Sequence, residues 1–143
     1  MEKKKILLID DNEIVHIFFK DVFWLHGLGD KFDIESASGV DAGMRMINDP
    51  ETKPDIIFLD LVMPYRTDDG KIVTSPEAGF SILKAVKENK DTKDIKVFVF
   101  SSYSADGSQK RAKELGADKF LIKEEHLPQD LVRVLEDYYR ENP

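Results

Sequence analysis

Five short apolar runs recur along this chain, spaced to leave room for one helix after each, and few folds satisfy that rhythm. The runs are Ile6-Leu7-Leu8-Ile9, Phe32-Asp33-Ile34, Ile56-Ile57-Phe58-Leu59, Val97-Phe98-Val99-Phe100 and Phe120-Leu121-Ile122. Three of them lack strict apolar/polar alternation, which is how strands buried on both faces of a parallel sheet read. The second run is the most polar, as an edge strand would be. Between the runs the period becomes helical: Ile14, Phe18, Val22 and Leu25; Val40, Met44 and Ile47; Ala78, Ile82 and Val86; Leu127, Leu131, Leu135 and Tyr138. The stretch from Ala105 to Leu115 is more polar and weakly periodic, and Gly116 supplies a stop after it. Pro50 and Pro54 bracket the turn before the third strand. Pro76 suits the first turn of a helix, and Thr74 and Glu77 have capping-box spacing. Five βα units in a row, joined by right-handed crossovers, predict an open parallel sheet with helices on both faces.

Chain length and composition agree with one domain. A chain of 143 residues can bury one continuous core, and 41% hydrophobic with 34% charged residues is too apolar for disorder. The formal net charge of −7 argues against nucleic acid or an anionic membrane as partner, because both need a basic footprint. Without cysteine there is no disulfide, thiolate metal site or cysteine nucleophile. The apolar stretch Ile6 to Ile9 is too short for a signal-peptide core or a membrane span, so a cytoplasmic location is expected. Only Glu141-Asn142-Pro143 follow the fifth helix, so no output domain is expected within these residues.

In an open α/β sheet, ligands bind outside the carboxyl ends of the strands. The first strand ends in Asp10-Asp11, the third in Asp60, the fourth in Ser101-Ser102 and the fifth in Lys123. Each residue has an ordinary explanation. Asp10, Asp11 and Asn12 could cap the first helix, Asp60 could be a loop acid, Ser101 a cap for the fourth helix and Lys123 a solvated lysine. All of these holding at four strand ends together is a poor explanation. Three neighbouring carboxylates resist ionisation unless a cation neutralises them. Mg²⁺ takes such hard oxygen ligands and phosphate. A carboxylate can attack phosphorus to form an acyl phosphate, with Lys123 and the Ser101 hydroxyl balancing charge on the transferred group.

The segments Leu7-Leu8-Ile9-Asp10-Asp11-Asn12, Phe58-Leu59-Asp60-Leu61-Val62-Met63-Pro64, Val99-Phe100-Ser101-Ser102 and Gly116-Ala117-Asp118-Lys119-Phe120-Leu121-Ile122-Lys123 resemble the response-regulator receiver family. The resemblance covers nearly the whole chain. It implies a flavodoxin-like doubly wound (βα)5 fold with a parallel sheet in strand order 2-1-3-4-5, one receiver domain over residues 1–143. It implies Asp60 as phosphoacceptor and Asp10, Asp11, Asp60 and the Val62 backbone carbonyl as ligands of Mg²⁺, with Mn²⁺ as substitute and Asp10 acting through water. Ser101 matches the hydroxyl residue that turns toward the phosphoryl group, Lys123 the family lysine, and Phe120 the aromatic that moves inward on activation. The implied partners are a histidine kinase or phosphotransfer protein and an unnamed downstream protein, met through the fourth helix, fifth strand and fifth helix. The expected state is a monomer or a phosphorylation-dependent dimer, and the expected role a switch rather than a turnover enzyme.

Three departures stand out. Glu124 replaces the proline that usually follows the lysine, so the Lys123–Glu124 peptide is either a costly cis bond or a differently shaped trans loop. The loop at about 64–76 is longer than usual, as functional loops or surface insertions can be. Phe120 lacks the phenol of the commoner tyrosine. Val62 and Tyr103 flank the attacking water of similar receivers without a carboxamide or acid to orient it, which predicts a long-lived phosphoryl state.

The alternative is a degenerate receiver that binds partners without phosphorylation. An aspartyl-phosphate phosphohydrolase of the haloacid-dehalogenase type needs Asp-x-Asp after its first strand, where this chain has Asp10-Asp11-Asn12. A flavin carrier needs a phosphate loop rich in Ser, Thr and Gly that is absent. His16, His26 and His126 have no metal-ligand spacing and read as packed or solvated, and Gly27-Leu28-Gly29 reads as a turn. The aromatics Phe18, Phe19, Phe23 and Trp24 read as core and rim packing. Phe19, Phe23 and Trp24 exceed the buried stripe, leaving a contact surface on the first helix as an alternative.

Overall fold

Every predicted strand and helix is present in the computed structural model, which describes residues 3–25 and 28–142. The strands β1 (Lys4–Ile9), β2 (Phe32–Ala37), β3 (Ile56–Leu59), β6 (Lys96–Ser101) and β7 (Lys119–Ile122) form one sheet in the order β2-β1-β3-β6-β7. All four pairings are parallel. Counting only these strands, the order is 2-1-3-4-5, the flavodoxin-like arrangement expected. The central strand β3 is fully buried, whereas β2 at the edge alternates between half-buried and exposed until the buried Ala37 at its end, as its polar sequence requires.

The helices are α1 (Glu13–Leu25), α2 (Val40–Asn48), α3 (Glu77–Glu88), α4 (Ser108–Glu114) and α5 (Pro128–Glu141). They divide the core in two. On one face Leu7, Ile9, Ile57, Leu59, Val97 and Val99 meet the buried sides of α2 and α3. On the other, Ile6, Leu8, Ile56, Phe58, Phe98 and Phe100 meet α1 and α5. That second face carries a run of edge-on and tilted aromatic contacts from Phe23 through Phe19, Phe58 and Phe98 to Tyr138 and Tyr139.

Four expectations need correction. On α1 the buried residues are Phe19 and Phe23, while Ile14, Phe18 and Leu25 of the predicted stripe are exposed. The helix is apolar over so much of its circumference that two i, i+4 rows one residue apart read equally well, and sheet contact selects the aromatic one. At the start of α5, Leu127 lies before the helix and is exposed, so its stripe begins at Leu131. The fourth helix is shorter than Ala105–Leu115. It starts at Ser108, after Gly107 with φ 83°, a conformation that glycine adopts without strain. The α3 entry uses Ser75, whose Oγ accepts the Glu77 N–H at 3.1 Å; Thr74 is in a strand instead of capping.

The 64–76 loop has secondary structure of its own. β4 (Met63–Arg66) and β5 (Ile72–Ser75) pair antiparallel, and the turn closes with the Thr67 N–H donating to the Lys71 carbonyl and Gly70 at φ 83°. Met63 is buried and Tyr65 packs on the core, while Ile72 and Val73 face solvent. His26 and Gly27 of the predicted turn, and Pro143, lie outside the described residues. Among the described residues no helix is long and apolar enough to cross a membrane.

Candidate phosphoacceptor site

Parallel strands all end on one side of the sheet, so β1, β3, β6 and β7 deliver Asp10, Asp11, Asp60, Ser101 and Lys123 to one edge. Asp10 and Ser101 are fully buried and Asp60 is 7% exposed; Asp11 is exposed. Single carboxylate oxygens of Asp10, Asp11 and Asp60 lie within 4.8 Å of one another. Lys123 Nζ donates to Asp10 Oδ2 at 2.6 Å and to Asp60 Oδ2 at 3.5 Å. The other Asp60 oxygen accepts the Ser101 hydroxyl at 2.7 Å and the Leu61 N–H at 2.8 Å.

These contacts separate the functional readings from the ordinary ones. Asn12 is the residue that caps α1, its Oδ1 accepting the Ile14 N–H at 2.9 Å. Asp10 instead accepts the Asn12 N–H with Oδ1 and turns Oδ2 to Lys123. Ser101 lies seven residues before Ser108 and caps nothing on α4. Lys123 is only 19% exposed at its side chain, unlike a solvated lysine. Val62 follows in the loop beside Asp60 and is half-buried, and Phe120 is half-buried against the core of the α2–α3 face.

Electrostatics here are a contest between burial and pairing. Burial pushes the Asp60 carboxyl above its ordinary value, with the Asp10 charge adding to the rise; Lys123, Ser101 and the Leu61 N–H oppose it without prevailing. For Lys123 burial acts downward, but the hydrogen bond to Asp10 and the charges of Asp60 and Asp10 outweigh it and hold the ammonium above its usual value. The donor set is three carboxylates with no nitrogen or sulfur ligand. That chemistry fits a small hard divalent cation, and one would relieve the carboxylate repulsion that Lys123 alone offsets only in part.

Some supporting residues escaped the sequence reading. His16 Nε2 donates to the Asp10 backbone carbonyl at 2.5 Å. Its position six residues beyond Asp10 on the following helix was the available signal. His126 donates from Nδ1 to the Ile122 carbonyl at 3.1 Å, as a packed histidine does. Gly79 lies where a β-carbon would sit 2.4 Å from Leu61 Cα and 2.6 Å from the Asp60 carbonyl oxygen, so α3 presses directly on the loop that begins at Asp60. The described peptide bonds are all trans, Lys123–Glu124 included, and Lys123–Glu125 form a 3-10 turn. Glu124 accepts a hydrogen bond from Ser102, which holds its carboxyl below the usual range.

Residues 6–136 match the family model of the response regulator receiver domain. This chain belongs to that family. The receiver is 33% identical over 122 residues to a protein-glutamate methylesterase/protein-glutamine glutaminase of Methanospirillum hungatei, a match covering 83% of this chain and 30% of that protein. It is 28% identical to the chemotaxis protein CheY of Halobacterium salinarum, covering 84% of each chain. The chain spans 30–49% of the length of most of the curated relatives it matches. Among solved structures, the phosphorylated cyanobacterial phytochrome response regulator RcpA superposes with a TM-score of 0.79 at 19% identity, covering 99% of this chain and 97% of that one. The Mn²⁺-bound form of response regulator Rcp1 gives 0.74 at 22%, covering 95% and 94%. Receiver domains are signalling switches of two-component systems. They bind Mg²⁺ or Mn²⁺ at an aspartate cluster of the kind that Asp10, Asp11 and Asp60 form here.

Proposed function

We propose that this receiver accepts a phosphoryl group on Asp60 from a phosphohistidine of a histidine kinase or phosphotransfer protein, in the cytoplasm. The observation that carries the reading is Asp60 itself: a buried carboxylate at a strand end, beside two more acids, a lysine and a buried hydroxyl. An Asp60 oxygen attacks phosphorus as the phosphorus–nitrogen bond breaks, the bonding pair staying on the departing imidazole. Asp10, Asp11, Asp60 and the Val62 carbonyl would hold Mg²⁺ or Mn²⁺, which when bound neutralises charge on the transferred phosphoryl oxygens. Lys123 supplies positive charge from the opposite side, and the Ser101 hydroxyl exchanges its Asp60 contact for a phosphoryl oxygen. Phosphorylation exchanges the single negative charge of the carboxylate for about −1.5 to −2 on the phosphoryl group, taking the phosphoserine value as a guide. That charge biases the β6–α4 and β7–α5 loops, with Phe120 following Ser101 and the α4-β7-α5 surface as output. Val62 and Tyr103, at the positions that flank the attacking water in similar receivers, offer neither a carboxamide nor an acid to orient it, so the phosphoryl group is long-lived; decay within seconds after donor removal would sink that part.

The phosphorylation-independent alternative is disfavoured by a complete set of acids, hydroxyl and lysine in contact. Intact mass after incubation with acetyl phosphate and Mg²⁺ tests the proposal. Wild type gains one phosphoryl group; Asp60→Asn, or wild type with chelator, gains none. An unmodified wild type with acetyl phosphate and with phosphohistidine donors alike refutes it.

A further inference from the structure

The face of α1 turned away from the sheet is the most apolar exposed surface described. Ile14, Ile17, Phe18, Trp24 and Leu25 are 55–76% exposed, and with Asp21 they fall within about 120° of one helix face. They leave roughly 600 Å² of mostly apolar surface. A monomer seldom exposes a patch of more than a few hundred Å², and a standard interface takes about 800 Å² per partner. Beside the patch runs a mostly apolar groove of about 180 Å³ between α1 and α5, lined by Val15, Phe18, Phe19, Phe100 and Leu131 and also by Lys123 and His126.

The arrangement is self-complementary. Apolar residues occupy both ends of the face, and Lys20 and Asp21, both exposed, stand between them. Turn a second copy end for end about the midpoint of Lys20 and Asp21. At 1.5 Å per residue, Ile17 then comes level with Trp24 of the copy and Lys20 with Asp21 of the copy, each twice and on the same side of the helix pair. On the other side Leu25 of the copy lies over the groove beside Phe18. A two-fold interface requires this match of a patch to itself. A membrane surface is a poorer occupant, because such helices flank their apolar face with Lys and Arg, whereas this face carries one lysine beside Asp21 and Glu13.

We infer that this chain self-associates as an antiparallel dimer through the exposed face of α1, independently of phosphorylation. Trp24 is the only tryptophan, so its fluorescence reports that contact directly. The test is sedimentation and tryptophan emission without phosphodonor, from about 1 μM to about 0.5 mM, a range that brackets micromolar to sub-millimolar dissociation constants. The expected result is a rise from 16.4 kDa toward twice that mass, with a matching blue shift. Ile17→Lys and Leu25→Glu, with unchanged circular dichroism, weaken association by about tenfold or more. Lys20→Glu also weakens it, and the double reversal Lys20→Glu/Asp21→Lys restores it. A chain that stays at 16.4 kDa throughout, or a dimer indifferent to Ile17→Lys with unshifted emission, overturns the inference. So does a monomer in which Ile17→Lys slows transfer from a phosphohistidine protein but not from acetyl phosphate, which assigns the face to the donor.

Discussion

Asp60 holds its two oxygens in different company, one with Ser101 and the Leu61 N–H, the other facing Lys123. Burial still raises its carboxyl, with Asp10 contributing. The proton is therefore bound more tightly in the folded chain than in the unfolded one. Stability from this group is complete below the ordinary carboxylate value of 3.8 and is lost as pH rises through the folded value. Above the folded value the charged carboxylate carries that cost, so Asp60→Asn is expected to stabilise the metal-free protein. Thermal unfolding with and without Mg²⁺ checks this: the variant melts higher without metal and gains less from it. Gly79 is constrained by its neighbours instead. With backbone atoms 2.4–2.6 Å from where a methyl group would sit, Gly79→Ala must push α3 off the Asp60 loop. The expected loss is about 1–3 kcal/mol, with slower phosphoryl uptake from acetyl phosphate in the fraction that folds.

Between elements, the contact most open to adjustment ties α4 to α3. Arg111 donates to both Glu77 oxygens, at 2.5 and 2.7 Å, and stacks over Phe80 at 4.1 Å. The hydrogen bonds from Arg111 hold the Glu77 carboxyl below its usual range, so this stability is present above that range and lost as pH falls through the folded value. Both side chains are nearly half exposed, which limits the pair to about 0.5–1 kcal/mol. Urea unfolding of Arg111→Ala should show a loss of that order at neutral pH that shrinks toward acid. A second tie is better shielded: Lys87 donates to the carbonyls of Lys93 and Ile95 and to Asp118, joining α3 to the starts of β6 and β7. The sequence showed the hairpin only as a long loop, because β4 and β5 are four residues each and pair with nothing else.

Across the whole molecule, one sheet serves two cores of different character. The α2–α3 side is mostly aliphatic, while the α1–α5 side is built on the aromatic contacts that centre on Phe58 and Phe98. Phe98 touches both Phe58 and Tyr138, with ring centroids 5.4 and 5.1 Å apart, and its removal leaves a cavity between sheet and α5. Phe98→Ala should cost about 3–5 kcal/mol in chemical denaturation. A cost below about 1 kcal/mol would mean that the second core closes over the gap.

The sequence by itself determined the element order, the strand edge that gathers the acids, and Asp60, Ser101 and Lys123 as residues of one site. Those features follow from local periodicity and from the rule that parallel strands end together. The tertiary structure alone decided which row of α1 is buried, because Phe18 and Phe19 differ by a rotation of about 100° that only contact with the sheet resolves. It likewise decided that Asp10 pairs with Lys123 across 113 residues, that His16 holds the Asp10 backbone, and that position 79 must be glycine. These are distances between elements, and a pattern read along one chain carries the period of each element but not the approach of one to another.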